Sequence, residues 1–273
     1  MTNHFKLYLF LATILIVSAI IFAYYDLEIS TLLVNQNSGW AKFLENYGMI
    51  PGLIVILSGI FINYSSLSRR IDAWSYFKKA VFFLAVTGIL LYLADVVISN
   101  NINWNILEDH FIIALIISFI VSFVILIFVQ FKRPVQNIIA INYSKVVLGM
   151  ALFGYVICIQ VVKYFWGRVR FRDLDAFYSQ FTPWYIPQGF TGFDSFPSGH
   201  AAMGWMLLPI FILLSKRTNL IKYSVLALII IWALVLLLSR VIIGAHYASD
   251  VLFGSFFMIV TFLLFYQHYI TQT

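Results

Sequence analysis

The sequence predicts an all-α protein, a polytopic transmembrane helix bundle of about eight spans. Hydrophobic residues make up 62% of the 273 positions and charged residues only 10%, which excludes an ordinary soluble globule. Apolar runs of about 20 residues recur along the chain, and a helix of that length crosses a bilayer. The 17 Lys and Arg residues outnumber the 11 Asp and Glu residues and collect in alternate connecting segments, which is a topology signal.

Eight runs qualify or nearly qualify as spans. They are 7–25, 47–64, 79–98, 111–131, 145–164, 199–214, 223–239 and 248–266. The first is interpreted as a retained helix, since no small-x-small cleavage site follows it. The second contains Pro51 and Gly52 near its start and the sixth is short, so the predicted number is eight give or take one.

The charges of the connecting segments predict the orientation. Basic residues follow the second, fourth and sixth runs, whereas the segments after the first and third runs are mainly acidic. Because Lys and Arg accumulate in cytoplasmic loops, both termini are predicted in the cytoplasm of a cell whose plasma membrane holds the protein. The basic residues are Arg69, Arg70, Lys78, Lys79, Lys132, Arg133, Lys145, Lys216, Arg217 and Lys222, and the acidic ones are Asp26, Glu28, Glu45, Glu108 and Asp109.

This orientation brings three polar segments to the outer end of the bundle, and the first of them is basic. Lys163, Arg168 and Arg170 lie at and just beyond the end of the fifth run, on the side where basic residues are otherwise scarce. Such residues either snorkel toward lipid phosphates or bind an anion. Three of them within eight residues favour an anion site.

The second polar segment, Pro-Ser-Gly-His at 197–200, opens the sixth run. Pro followed by Ser and Gly predicts a capped helix start, where Ser198 and the Gly199 amide can donate to an anion. His200 would then lie in the first helical turn beside that anion. A Ser-capped start also occurs often by chance, so the tetrapeptide alone is only moderately specific.

The third polar segment runs from Ser239 to Asp250. His246 and Asp250 are four positions apart, so on a helix they share a face and the carboxylate accepts a hydrogen bond from the imidazole. The other imidazole nitrogen would be free as a nucleophile or base. Ser239 and Arg240 could donate to the same anion. The alternative, at roughly even odds for this segment alone, is an interfacial His with an Asp that caps a helix.

Taken together, the three segments resemble the signatures of the type 2 phosphatidic acid phosphatase and haloperoxidase superfamily, in its integral membrane lipid phosphatase branch. Those signatures are Lys-x6-Arg-Pro, Pro-Ser-Gly-His and Ser-Arg-x5-His-x3-Asp. Lys163 and Arg170 match the first in spacing, residues 197–200 match the second, and Ser239, Arg240, His246 and Asp250 match the third. Phe171 stands where the first signature has Pro, which we interpret as a variant.

The resemblance implies a mechanism through a phosphohistidine. His246 would attack phosphorus, Asp250 would orient and polarise it, and His200 would protonate the departing oxygen. The resemblance implies no metal and no other cofactor. The phosphate-binding residues would be Lys163, Arg170, Ser198, Gly199 and Arg240, with Arg168 and Ser239 as further candidates.

The resemblance covers about residues 145–266 and implies a six-helix phosphatase core at 80–273. Residues 1–79 would then form two additional N-terminal helices, for which the sequence gives no role. Phe171 leaves the basic residues intact but alters how the following segment leaves the membrane.

The resemblance implies an enzyme that hydrolyses a lipid phosphate or pyrophosphate presented in the outer leaflet. Phosphatidate, phosphatidylglycerophosphate and undecaprenyl pyrophosphate are candidate substrates, the bilayer is the partner, and no nucleic acid is expected. A phosphotransferase using the same phosphohistidine is the alternative. A non-catalytic lipid-phosphate transporter or binding protein would need only the cations, so the intact His200, His246 and Asp250 argue against it. The specific lipid and the oligomeric state are not encoded in the sequence.

Overall fold

A computed structural model describes residues 3–67, 71–102 and 110–271. Across these residues the chain is 76% helical and has no strand. Within these ranges, seven helices are long and apolar enough to cross a membrane, and a shorter apolar stretch, Gly199–Leu213, adds to them. The predicted all-α polytopic bundle is therefore confirmed, and its apolar helices are those of an integral membrane protein. The charged residues Arg69, Arg70, Glu108 and Asp109, used above to predict orientation, lie outside the described residues.

Twelve helices are numbered in chain order along the described ranges. The N-terminal helices are α1 (Asn3–Leu33), α2 (Gly39–Tyr47), α3 (Ile50–Leu67), α4 (Ala73–Ile102), α5 (Phe111–Phe131) and α6 (Ile138–Gly149). The chain continues through α7 (Met150–Val161), which is π-helical, and α8 (Val162–Trp166). After a long connection come α9 (Gly199–Trp205), α10 (Ile210–Leu213), α11 (Asn219–Ile242) and α12 (Ala248–Tyr266), and a π-helical turn (Gln267–Thr271) follows.

Two of the apolar runs coincide with helices, since 111–131 is α5 and 248–266 is α12. The other elements have bounds that differ from those of their runs, and three of these differences are large. The first helix continues past its apolar run to Leu33, because Asp26 finds buried partners and does not end it. A separate short helix, α2, precedes the second run and buries one face through Ala41 and Leu44. The sixth run is broken before Pro209, whose ring and missing N–H interrupt a helix.

The main core joins the N-terminal helices to the rest of the bundle. Side chains from α3, α4, α6, α9 and α12 meet there, and Ile60, Val147 and Met258 are almost wholly buried. Gly59 lets the backbone of α3 pack against a side chain of α6, since a Cβ there would lie 2.6 Å from Val147 Cγ1. Helix α3, which lies within the first 79 residues, is thus packed into the same core, and the separation of residues 1–79 as an addition to a six-helix unit stays a prediction.

One end of the bundle collects the polar segments. Five segments meet there: the end of α8, the connection 167–198, the start of α9, the turn 243–247 and the start of α12. The N-terminal part of the chain reaches the same place, since Asn35 N donates to Ile242 O at 2.6 Å. Ala41 of α2 packs on Ile243 and Ala245, the residues that lead to His246. Residues far apart in sequence therefore surround one small volume.

Candidate active site

A left-handed glycine redirects the chain after α8. Gly167 has φ +62°, and a Cβ there would lie 2.1 Å from the carbonyl oxygen of Gly189. Only glycine combines that conformation with so close an approach. The resulting turn ends α8 just beyond Lys163 and lets Arg170 return toward it.

Lys163 and Arg170 converge on one carboxylate, that of Asp194. Lys163 Nζ donates to the Asp194 main-chain oxygen at 2.5 Å and lies 3.4 Å from Oδ2. Arg170 lies 2.7 Å from Asp194 Oδ1. Burial alone would raise the pKa of Asp194, but the charges of Lys163 and Arg170 outweigh it and hold this pKa below its usual value. Asp194 thus offsets one of the two positive charges that these predicted phosphate-binding residues carry.

Arg240 is bound on one side only. Its buried guanidinium lies 3.1 Å from Glu45 Oε1, and Arg172 holds the same oxygen at 2.8 Å. The Nε and NH1 groups of Arg240 are buried and have no hydrogen-bond partner among the described residues. Buried donors without a partner are costly, so these two N–H groups are suited to donate hydrogen bonds to a bound anion.

The segment 197–200 forms the predicted capped helix start. Ser198 Oγ accepts from Ala201 N at 3.3 Å, and α9 begins at Gly199. His200 Nε2 lies 3.0 Å from the Glu45 carbonyl oxygen. A carbonyl oxygen can only accept, so Nε2 carries the proton. Helix α2 therefore fixes the tautomer of His200 and places Glu45 between it and Arg240.

The expected geometry of His246 and Asp250 is wrong in one respect. His246 lies in the turn before α12, which begins at Ala248, so the two residues do not face each other along a helix. The His246 Nδ1–H donates to the Ser195 carbonyl oxygen at 2.7 Å, whereas Asp250 Oδ2 is 3.6 Å away. That longer distance permits charge attraction but exceeds a hydrogen bond. A main-chain carbonyl thus sets the tautomer and leaves the Nε2 lone pair free.

Burial keeps His246 neutral. Its side chain is 3% exposed, and this removal from water lowers the pKa of His246 to about 4, against the opposing attraction of Asp250. The charge of Lys163 acts in the same direction as burial. At neutral pH the imidazole is therefore uncharged and its Nε2 can act as a nucleophile.

The carboxylate of Asp250 is held at both oxygens. Its Oδ1 accepts from Arg168 NH1 at 2.6 Å. Its Oδ2 accepts from Ser195 Oγ at 2.5 Å and from Tyr247 N at 2.9 Å. Ser195 thus binds both members of the pair, His246 through its carbonyl and Asp250 through its hydroxyl.

The two further candidates, Arg168 and Ser239, do not face the unpaired donors of Arg240. Arg168 is fully buried and directs its guanidinium to Asp26 and Asp250. Ser239 Oγ donates to the Leu236 carbonyl at 2.6 Å within α11. A hydroxyl has one proton, so Ser239 has none left for an anion. The contacts of these two residues do not support the expectation that they bind phosphate.

Phe171, the departure from the first signature, is a packing residue. Its buried ring lies 5.7 Å from that of Tyr178 and 6.2 Å from that of Tyr247, centroid to centroid. The next residue, Arg172, donates its N–H to the Gly244 carbonyl at 2.9 Å. The phenyl group therefore packs the connection 167–198 against the turn that carries His246.

Four residues that contact the site were not predicted from the sequence to belong to it: Asp26, Glu45, Asp194 and Ser195. Asp26 and Glu45 entered only as topology charges, yet both point into the bundle. Their positions in a segment otherwise predicted at the outer end were the available signal. Within the described ranges, no group of three or more His, Cys, Asp or Glu side chains could hold a metal.

The C-terminal part of the chain, which carries the three signature segments, resembles a known family. Residues 143–273 match the family model described as PAP2 superfamily. These residues belong to the PAP2 superfamily. The PAP2 region contains every residue from Lys163 to Asp250, whereas Asp26 and Glu45 lie outside it.

Two curated relatives of the PAP2 region carry the same description. A lipid A 1-phosphatase of Rhizobium etli is 35% identical over 106 residues, which are 36% of this chain and 40% of the relative. A lipid A 1-phosphatase of Rhizobium johnstonii is 37% identical over 106 residues, which are 36% of this chain and 38% of the relative. The chain thus matches about two fifths of the length of each of these relatives. No solved structure matches the chain.

Proposed function

We propose that this protein is an integral membrane phosphatase that removes phosphate from a lipid phosphate or pyrophosphate at the outer membrane face. The observation that carries the proposal is a neutral His246 with a free Nε2. It lies at the same end of the bundle as Arg240, whose Nε and NH1 groups are buried without a partner among the described residues. A nucleophile beside unsatisfied cationic donors suits phosphoryl transfer.

The proposed reaction has two steps. His246 Nε2 attacks phosphorus, so that a P–N bond forms while the bond between phosphorus and the lipid oxygen breaks. His200, in its protonated form, gives a proton to that oxygen. Water then attacks phosphorus, so that a new P–O bond forms while the P–N bond breaks and its electron pair returns to His246 Nε2. His200 takes a proton from the water, and inorganic phosphate leaves. The negative charge of Asp250 offsets the positive charge that the imidazole gains in the first step.

The cations of the site would replace a metal ion. Lys163, Arg170 and Arg240 supply three positive charges for the phosphoryl oxygens, which is enough to stabilise charge developing in the transition state. Asp194 and Glu45 share these cations, so a phosphate competes with two carboxylates for them. We therefore propose that activity persists in the presence of a chelator.

An apolar groove supports a lipid substrate. A cavity of about 520 Å³ lies between α3, α4, α6 and α7, and apolar side chains such as Leu53 and Ile89 line it. Tyr155, which also lines it, is close to the anion site, because a Cβ on Gly199 would lie 3.6 Å from its hydroxyl. An acyl or prenyl chain could lie in this groove with its phosphate at Arg240. The names of the two relatives, lipid A 1-phosphatases, likewise refer to a phosphate on a lipid.

Purified protein in detergent provides the test. Phosphate release would be measured with phosphatidate, phosphatidylglycerophosphate, undecaprenyl pyrophosphate and lipid A 1-phosphate, each with and without chelator. We expect metal-independent release from at least one. Binding without release from any would favour a lipid-phosphate binding protein, and phosphate appearing on an added alcohol would favour a transferase.

A second test concerns the nucleophile. His246→Ala removes the proposed nucleophile, so no phosphohistidine can form. We expect loss of turnover and loss of the acid-labile phosphoenzyme that labelled substrate would otherwise form. His268→Ala is the matched control, because His268 is exposed and lies beyond the far end of α12. If His246→Ala kept more than a few per cent of the activity, another residue would be the nucleophile.

A further inference from the structure

Helix α1 contributes a buried carboxylate to the candidate active site. Asp26 is 1% exposed although it lies within an apolar span. It accepts three donors: Ser249 N at 3.0 Å, Ser249 Oγ at 2.5 Å and Arg168 NH2 at 2.9 Å. All three contacts come from donors, and one donor is a cation, so these contacts suit the carboxylate form of Asp26.

Arg168 connects this carboxylate to Asp250. Its NH2 binds Asp26 and its NH1 binds Asp250 at 2.6 Å, while Nε donates to the Thr182 carbonyl at 2.9 Å. The guanidinium also lies over the Tyr247 ring, 3.9 Å from its centroid. Every part of this buried cation is therefore engaged, and its position is fixed by two carboxylates on different helices.

The charges of this cluster matter for His246. One arginine and one aspartate would cancel, and Asp250 would then offer little net charge to the imidazole. With Asp26 included, two carboxylates surround one guanidinium and one negative charge remains. Arg168 binds Asp250 through Oδ1, whereas Asp250 Oδ2 lies 3.6 Å from His246 Nδ1, close enough for charge attraction.

We propose that Asp26, acting through Arg168, is a positioning residue for the Asp250 and His246 pair. It leaves the charge of Asp250 available to a cationic imidazole and holds Asp250 in place. The inference rests on the proposed function, because it concerns the step in which His246 becomes phosphorylated. It also gives the first helix a role in that step, although this helix lies outside the PAP2 region.

The experiment uses the full-length protein in detergent and a rapid-quench measurement of phosphoenzyme formation. Asp26→Asn removes the charge with little change in shape, so we expect phosphoenzyme formation to slow by about 10- to 100-fold while KM changes less than twofold. Glu28→Gln is the matched control, because Glu28 is exposed on the same helix and loses the same charge. We expect it to behave as the wild type.

A double variant separates charge from packing. In Asp26→Asn with Arg168→Gln, the buried cluster again carries a single negative charge, on Asp250. We expect it to form phosphoenzyme at least fivefold faster than Asp26→Asn, because the lost charges compensate. A purely structural role predicts the opposite, since two buried groups are then altered. If Asp26→Asn does not fold, the test is whether the double variant folds.

The outcomes distinguish the two proposals. Phosphoenzyme in the wild type, with Asp26→Asn folded and within threefold of its rate, overturns the positioning role alone. A double variant that is slower than Asp26→Asn, or that fails to fold when that variant also fails, overturns it too. Absence of any phosphoenzyme in the wild type overturns the proposed function and this inference with it.

Discussion

His246 and Asp194 illustrate how burial and local charge set the state of single residues. The imidazole of His246 has one nitrogen fixed by the Ser195 carbonyl and the other free, and burial holds it neutral. Asp194 is half exposed, yet two neighbouring cations keep it charged. Both states follow from partners that lie at least 24 residues away in sequence, and both lead to measurable consequences.

The pH dependence of stability tests the state of His246. The unfolded chain takes up a proton at this residue near pH 6.5, whereas the folded protein does so only near pH 4. Lowering the pH from 7.5 to 5 therefore favours the unfolded state, by roughly 2 kcal/mol from this group. We expect the thermal midpoint in detergent to fall over this range more for the wild type than for His246→Gln. Equal pH slopes for the two proteins would contradict a neutral, buried His246.

Asp194→Asn tests the competition between carboxylate and phosphate. Lys163 and Arg170 lose their neutralising partner, so inorganic phosphate should inhibit more strongly. We expect the inhibition constant to fall by about fivefold, since one half-exposed charge interaction amounts to about 1 kcal/mol. Asp175→Asn, in the same connection but bonded only to its own turn, is the control. Unchanged inhibition in Asp194→Asn would show that these cations do not bind phosphate.

Helices α9 and α12 hold the two histidine-bearing segments together. Ser198 N, at the start of α9, donates to the Asp250 carbonyl in the first turn of α12 at 2.9 Å. The close approach needs a glycine, because a Cβ on Gly254 would lie 2.4 Å from Ser198 O. Since that atom belongs to the backbone, the contact cannot be relieved by a side-chain rotation.

Gly254→Ala should therefore separate the two helices. We expect a loss of about 1 to 3 kcal/mol of unfolding free energy, seen as a lower thermal midpoint, together with a drop in kcat. Gly39→Ala is the control, because Gly39 is exposed and has nothing within 4 Å of its Cβ position. If Gly254→Ala were as stable as the wild type, the close contact between Gly254 and Ser198 O would be contradicted.

At the scale of the whole molecule, the bundle places every polar segment of the site at one end. The opposite end carries the segment after the sixth run, with Lys216, Arg217 and Lys222. The charge distribution predicts that the site faces outward, away from this basic end. Cysteine accessibility in intact cells can test that orientation directly.

Two single-cysteine variants would report the orientation, both in a Cys158→Ser background. Phe177→Cys lies in the connection at the site end and Leu220→Cys at the other end, and the native side chains are 90% and 79% exposed. Gly189 is less suitable than Phe177, because its φ of +77° would strain a cysteine. We expect an impermeant thiol reagent to label the first variant only. The reverse pattern would place the chemistry on the cytoplasmic side.

Much of the fold and part of the site can be predicted from the sequence. The spans follow from local composition, and α5 and α12 coincide with their apolar runs because a helix needs no distant partner to satisfy its backbone in lipid. The Ser-capped start of α9 is local as well. By contrast, the helical face expected for His246 and Asp250 was wrong, because a turn before α12 separates them. The gap between the apolar runs 223–239 and 248–266, with Gly244 inside it, was the local signal for that turn.

The sequence by itself determined the class of protein, the helices and the three signature segments, since these depend on composition and on spacing within a few residues. Only the tertiary structure decided which groups complete the site. The Ser195 carbonyl holds His246 from 51 positions away, Asp26 reaches Arg168 across 142 positions, and Glu45 reaches Arg240 across 195. Contacts at such separations depend on how the helices pack, because the buried charges at this end must find partners wherever the bundle brings them.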